Sequence, residues 1–511
     1  MLDSDSGSDL TKLFDGIQDR PASQLALGTA FVLAGQVSFV LGGYVLHFYL
    51  SRAIDPVAYG TYGVIMNVLT WTESALNNGV PWAIRRFLPT DPKASASILR
   101  VGLIWQMVVA AMLYALTMLA APWFTGAIRD SSLTFYLRLA LTDILLMALY
   151  TFYRAALNGF RLFAAQGASL AAYTVGKLAS SLLLVGLGYA LTGALVGNII
   201  GSLIGCLAAF ILLRRSTGLA LRSTIARGER TSRHYNGRVI LGFALPTVLF
   251  TLAGTFLTSV GLVGVKALVR DGLQVAYYTA ANYLATAPTL LLVAFSLTLF
   301  PHLAGSIATQ NRPLTRAYIR AAVRYLSLVL LPGTCLVLGT SSHLISLIYP
   351  RDYAVAAPLL NLLLISIGLY SLYMIFANAI LAEGRVFLAL GIPSALVPVS
   401  LLATWYLTER FGPAGAAYAT VLTTGLALLT AAVYVLRHFA VHLDYTSLLR
   451  VSIASLALYG LTRLYVAQQT LLLPYYLLLG ITYLALLCLL GEIKITDIRK
   501  YITIYSRPYH E

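Results

Sequence analysis

The feature that most constrains this chain is its succession of apolar runs, each about 20 residues long and parted by short polar turns. A run of that length crosses the hydrocarbon core of a bilayer as a helix. There the backbone must satisfy its own hydrogen bonds, so a helix or a closed barrel is required. Fourteen spans are predicted, near residues 25–50, 58–84, 98–121, 133–156, 167–190, 193–213, 239–265, 274–300, 322–348, 354–381, 386–407, 414–436, 448–466 and 472–490. The turn Leu191-Thr192-Gly193 is the shortest of the predicted connections.

Composition agrees. Charged residues are 11% of the chain, against about 25% in soluble proteins, so lipid is the main solvent. A net charge of +16 would point to nucleic acid in a soluble protein. In a multispanning one it marks cytoplasmic loops. With the amino terminus inside, 26 of the 35 basic residues fall in inside segments and 7 in outside ones; Arg138 and Lys177 lie within spans. That asymmetry sets the orientation, with both termini cytoplasmic. Residues 1–24 are polar and acidic, without the basic start of a signal peptide, so the first run is expected to remain as a span. Arg214–Arg238 carries 7 arginines and one acid and is expected to be a cytoplasmic linker. Cys206, Cys335 and Cys488 sit far apart in apolar runs and read as small buried hydrophobes rather than as a metal or disulfide framework.

The chain repeats itself. Ile128-Arg129-Asp130, a helix, then Leu157-Asn158-Gly159-Phe160-Arg161 follows the third span. Pro350-Arg351-Asp352, a helix, then Leu381-Ala382-Glu383-Gly384-Arg385 follows the ninth. Tyr189-Ala190-Leu191-Thr192-Gly193-Ala194 before the sixth span matches Tyr406-Leu407-Thr408 and Gly412-Pro413-Ala414-Gly415 before the twelfth. Ala58-Tyr59-Gly60-Thr61-Tyr62 pairs more weakly with Ala276-Tyr277-Tyr278-Thr279. Spans 1–6 and 7–12 therefore read as two copies of one bundle. Six spans per copy gives both the same orientation, a parallel repeat about an axis along the membrane normal. Spans 13 and 14 are additional. The expected fold is an all-α polytopic membrane protein: a tail (1–24), an N-lobe (25–213), the linker (214–238), a C-lobe (239–437), two further helices (448–490) and a second tail (491–511).

Ionisable residues within spans are costly and mark function. Glu73, Arg138, Asp143 and Lys177 are four, all in the first copy. Arg138 is close enough to the outer end to snorkel. Glu73 and Lys177 either pair across the bundle or line a wet cavity. Arg52, Lys266 and Arg270 stand at the outer ends of spans 1 and 7; they ring an exit or anchor the interface. Arg85 and Arg86 stand at the inner end of span 2. Tyr277, Tyr278, Tyr283, Tyr370 and Tyr373 lie among apolar residues and offer aromatic faces or interfacial anchors. Pro246, Pro288, Pro332, Pro393 and Pro398 permit kinks in the second half. No phosphate loop, metal-protease helix, nucleophile elbow or Cys/His cluster is present.

The sequence resembles the polysaccharide (oligosaccharide-lipid) flippases of the multidrug/oligosaccharidyl-lipid/polysaccharide (MOP) exporter superfamily. The likeness is carried by Leu50-Ser51-Arg52-Ala53-Ile54-Asp55-Pro56-Val57-Ala58-Tyr59-Gly60, by Leu157-Asn158-Gly159-Phe160-Arg161, and by Gly412-Pro413-Ala414-Gly415-Ala416-Ala417-Tyr418-Ala419-Thr420. It implies two six-helix lobes and secondary-active flipping of polyprenyl-pyrophosphate-linked oligosaccharide to the outer leaflet by alternating access. It also implies residence in the cytoplasmic membrane and partners among polymerases or glycosyltransferases. Under it, Lys177 and Arg138, with Arg52, Lys266 and Arg270, become cations for the pyrophosphate headgroup, and Arg85 and Arg86 meet it on entry. Glu73 or Asp143 becomes the seat of a coupling H⁺ or Na⁺, no other cofactor being expected, and the tyrosines become sugar platforms. A lipid II flippase and a cation-coupled multidrug exporter are the alternatives of the same superfamily. A membrane polymerase or ligase is disfavoured because every outside loop is short.

Overall fold

The computed structural model describes residues 22–91, 94–217, 236–289, 299, 302–464 and 472–492. The amino-terminal tail, linker residues 218–235 and the tail beyond 492 lie outside them. Helices α1 (Ala22–Ala53), α2 (Pro56–Asn78), α3 (Val80–Thr90), α4 (Ser95–Ala127), α5 (Leu133–Leu141), α6 (Asp143–Gly159), α7 (Phe163–Leu184), α8 (Ala190–Thr217) and α9 (Gly237–Leu268) come first. Then follow α10 (Gly272–Ala285), α11 (Arg312–Ile348), α12 (Ala357–Ala382), α13 (Val386–Phe411), α14 (Pro413–His438), α15 (Tyr445–Leu464) and α16 (Leu472–Leu489). The described elements are all helical, and nine stretches are long and apolar enough to cross a membrane. One of the nine, Phe163–Thr217, contains both α7 and α8.

Four details depart from the expected spans. The second breaks at Gly79 into α2 and α3, and the fourth breaks at Thr142 into α5 and α6. The turn after α7 comes earlier than Leu191–Gly193, in a π-helical stretch Val185–Tyr189. There Gly188 takes a left-handed φ of 94° that lets the chain reverse. In the eighth, α10 ends at Ala285 and Pro288 follows in a turn. Asp55 explains one start: its Oδ2 accepts from the Val57 and Ala58 amides, with Pro56 in the first turn of α2.

The chain divides into two compact units, residues 1–276 and 277–511. In the first, α7 and α8 meet along a stripe of glycines four apart. A methyl group on Gly193, Gly197, Gly201 or Gly205 would strike Leu184, Ser181, Lys177 or Tyr173 respectively. Bare backbone replaces side chains at each rung, as lipid-embedded helices need when no hydrophobic force drives them together. Helix α1 also packs on α7, with Gly35 against the Gly167 carbonyl. Helices α2 and α9 are joined by polar rungs. Asn67 Nδ2 donates to the Ser259 carbonyl (2.7 Å), Trp71 Nε1 to Ser259 Oγ (2.7 Å), and the Ser74 and Thr255 hydroxyls meet at 3.3 Å. A cluster around Ile84, Leu88, Phe152, Phe160 and Ile240 gathers α3, α4, α6 and α9.

In the second unit α14 packs on α12 and α13, and α15 and α16 lie on α11. The attachment of the last two helices is partly polar. Thr340 and Tyr476 hydroxyls are 2.6 Å apart, and Tyr483 Oη donates to the Leu328 carbonyl (2.9 Å). The Glu492 carboxylate accepts from Arg324 Nε (2.7 Å) and from Ser447.

Candidate functional site

The first unit buries polar chemistry in the middle of its helices. Asp143 opens α6, where a helix amino terminus favours negative charge. It is 1% exposed. Its Oδ2 accepts from Asn198 Nδ2 (2.8 Å) and Ser202 Oγ (3.0 Å), both on α8; its Oδ1 is buried without a partner. Glu73 Oε1, on α2, is likewise buried and unpartnered. Lys177, on α7, lies within electrostatic reach of both carboxylates but within ion-pair distance of neither. The structure thus brings together three of the four ionisable residues singled out within spans.

Next to this group two guanidinium groups converge. The chain break at Gly79 turns α3 so that Arg85 Nη2 reaches back to Asn77 Oδ1 (3.4 Å). Arg154 Nη2, from α6, donates to the same oxygen (3.0 Å). The Nε atoms of both arginines are buried and unpartnered. Among the described residues no carboxylate stands within ion-pair distance of either, and Glu73 acts on Arg154 only at longer range. Two half-buried positive charges share one neutral acceptor. Such a pair attracts anions, since guanidinium forks match phosphate oxygens and gain strength where water is scarce. Asn77 and Arg154 were not among the residues singled out from sequence. Arg154 looks like one more positive-inside anchor, and an asparagine in an apolar helix gives no signal by itself.

The remaining candidates sit elsewhere. Arg138 is exposed at the last turn of α5. Arg52 is exposed, its guanidinium 3.8 Å from the Phe48 ring centre, and Arg270 is exposed. Arg86 is exposed and stacks over Phe243 on α9 (4.7 Å). Lys266 is committed: its Nζ is 2.7 Å from Asp130 Oδ2. Partial burial pushes the Asp130 carboxyl up. Hydrogen bonds from Lys266 and Ser132 and the charge of the ammonium outweigh that and hold it below the usual carboxylate range. In the second unit Tyr278 and Tyr373 are buried, and Tyr277 stands edge-on to Tyr353 (5.2 Å). Tyr370 tilts against Tyr373 (5.7 Å), and Tyr283 is half-buried on α10.

A family described as polysaccharide biosynthesis protein matches residues 25–306. No curated protein matches. Among solved structures the chain is similar to the lipid II flippase MurJ in an inward closed conformation: TM-score 0.68, 14% identity, covering 91% of this chain and 98% of that one. It is similar to a multidrug resistance MATE family transporter of the MOP superfamily in an inward-facing conformation: TM-score 0.64, 13% identity, 78% and 94% covered. It is also similar to a MOP superfamily transporter from Pyrococcus furiosus: TM-score 0.61, 12% identity, 81% and 95% covered. At these identities the likeness is one of fold.

Proposed function

Because this chain belongs to the polysaccharide biosynthesis family, a family of helical membrane proteins, we propose that it is a secondary-active flippase for polyprenyl-pyrophosphate-linked oligosaccharide. In this reading fourteen spans form two six-helix lobes about a parallel pseudo-two-fold, plus two carboxy-terminal helices. Both termini face the cytoplasm, and alternating access is driven by an H⁺ or Na⁺ gradient. The protein sits in the cytoplasmic membrane, beside the glycosyltransferases and polymerases that make and use its cargo.

The observation that carries the reading is the Arg85–Arg154 pair on Asn77. By the charge asymmetry of the loops it lies at the inner end of α2, on the side where such a cargo is made. A pyrophosphate brings the charge that the pair lacks. Each charge-assisted hydrogen bond contributes about 1.5–3 kcal/mol, a factor of roughly 10–150 in affinity. Translocation of a fluorescent polyprenyl-pyrophosphate sugar into the lumen of inverted vesicles tests it. Arg85→Gln and Arg154→Gln should each remove most transport while leaving the unliganded protein as stable as wild type or more so, since one like charge is gone. Normal translocation by the double variant would refute the site.

The likeness to the lipid II flippase over 91% of the chain favours a second reading, in which the pyrophosphate is the same and the sugar is a peptidoglycan precursor. The multidrug alternative has a fold match as well, but a paired-arginine site suits an anion rather than a cationic drug. Competition between the two lipid-linked sugars in the same vesicles separates the first two readings.

A further inference from the structure

Lys177 is a half-buried lysine with two incomplete counter-ions. Glu73 Oε1 and Asp143 Oδ1 are each buried without a partner. Both carboxylates lie within its electrostatic reach, and neither is closed onto it. An unpaired ammonium in an apolar bundle costs several kcal/mol, so it must take a partner for much of the time. The two seats differ in what carries them. Asp143 is clasped to α8 by Asn198 and Ser202, and α8 is clasped to α7 where Gly201 meets the Lys177 backbone. Lys177 and Asp143 therefore travel as one body. Glu73 rides on α2, which is joined by polar rungs to α9 and, near its carboxy end, to α6 where Asn77 accepts from Arg154.

We propose that Lys177 is a two-position counter-ion whose long side chain swings between Glu73 on α2 and Asp143 on α6. In one position the ammonium bridges to Glu73. In the other it bridges to the open Oδ1 of Asp143, and the lysine stays paired throughout. The other titratable and charged groups that face this cluster are His47 on α1, Tyr62 on α2, Tyr173 on α7 and Arg154 on α6. His47 is engaged with the Tyr59 hydroxyl at 2.9 Å. No proton transfer is needed for the exchange. This goes beyond a fixed salt bridge, which would leave one carboxylate idle, and beyond a cavity cation, which would leave both. Its use in transport rests on the flippase reading; the two pairings do not.

The test is thermal unfolding of the purified protein in detergent, with Lys177→Met placed in four backgrounds: wild type, Glu73→Gln, Asp143→Asn, and both together. Two seats predict that Lys177→Met lowers Tm by several degrees in the first three and leaves it unchanged or raised only in the fourth. A fixed bridge to Glu73 loses its effect already in Glu73→Gln, and a fixed bridge to Asp143 in Asp143→Asn. Either result, or no effect in wild type, overturns the proposal. Should Lys177→Met not fold, Lys177→Gln serves in the same four backgrounds. In vesicles, Glu73→Gln and Asp143→Asn, each with one seat, should both slow translocation of the lipid-linked sugar; normal rates in both overturn the switch. If wild type moves no such lipid, the flippase reading fails while the Tm pattern still decides the two seats.

Discussion

Gly201→Ala is the sharpest probe of how the site is held. An ideal Cβ at Gly201 would lie 2.5 Å from Lys177 Cβ and 2.7 Å from Lys177 Cα. Carbon atoms in contact prefer about 3.5–4.0 Å, so α8 must retreat from α7 by about 1 Å. Backbone cannot rotate away as a side chain can, and overpacking of this kind costs about 1–3 kcal/mol. The sign is informative because helix propensity pulls the other way: alanine in place of a helical glycine ordinarily gains about 0.5–1 kcal/mol. Gly242 on α9 is exposed, and a Cβ added there would meet nothing within 4 Å, so Gly242→Ala isolates the propensity term. Unfolding in mixed dodecyl sulfate and dodecyl maltoside micelles, followed by tryptophan fluorescence, gives both free energies. We expect Gly201→Ala to be destabilised and Gly242→Ala to be neutral or stabilised. A Gly201→Ala protein as stable as wild type would refute the claim that the seam fixes the Lys177 backbone.

Three further outcomes are expected. Asp130 titrates below its usual range when folded, so its contribution is full above the unfolded pKa of about 3.9 and is lost as pH falls through the lower folded value. Asp130→Asn should therefore flatten the acid limb of a stability profile below about pH 4, by no more than about 1 kcal/mol because the pair is partly exposed. Added salt should weaken the same contribution. Glu492→Gln removes the charge that holds Arg324 and should cost about 1–3 kcal/mol, loosening α16 first; hydrogen exchange on α15 and α16 would show it. Ser202→Ala should cost about 1 kcal/mol and Asp143→Ala more, since the latter leaves the buried Asn198 amide without its acceptor; their melting temperatures measure the order.

Much of this was legible in the sequence. Apolar length revealed the helices, because it depends on local chemistry; the Asp55 cap and Pro56 that start α2 were present in the sequence but figured only as part of the family motif. Glu73, Asp143 and Lys177 stood out as charges where hydrocarbon was expected, and the structure gathers them. Arg138 shared that mark yet faces outward, since position along a span does not tell which side of the helix a residue occupies. The breaks at Gly79 and Thr142 were hidden because lipid helices carry glycine and threonine freely. Asn77 and Arg154 were missed for a related reason. The meeting of Arg85 and Arg154 on Asn77 depends on the break at Gly79, which turns Arg85 back, and on packing between helices far apart in the chain, and no spacing within one run encodes either. The glycines of α8 at 193, 197, 201 and 205 were in plain view as a four-residue period, but a period does not name its partner helix.

That stripe also has a bearing on the order in which the protein assembles. Every rung joins α7 to α8 within one hairpin, so closing it costs little loop entropy. The pair can form in the bilayer as soon as Thr217 has been made. Asp143, already synthesised on α6, then finds Asn198 and Ser202 waiting on α8. Helix α2 is held early only in part, where Asn77 accepts from Arg154 on α6. Its rungs reach to Ser259 and Thr255 on α9, beyond the arginine-rich linker. A chain halted after Thr217 would hold a finished hairpin with Lys177 beside Asp143, and a Glu73 helix tied to α6 but still without its rungs to α9.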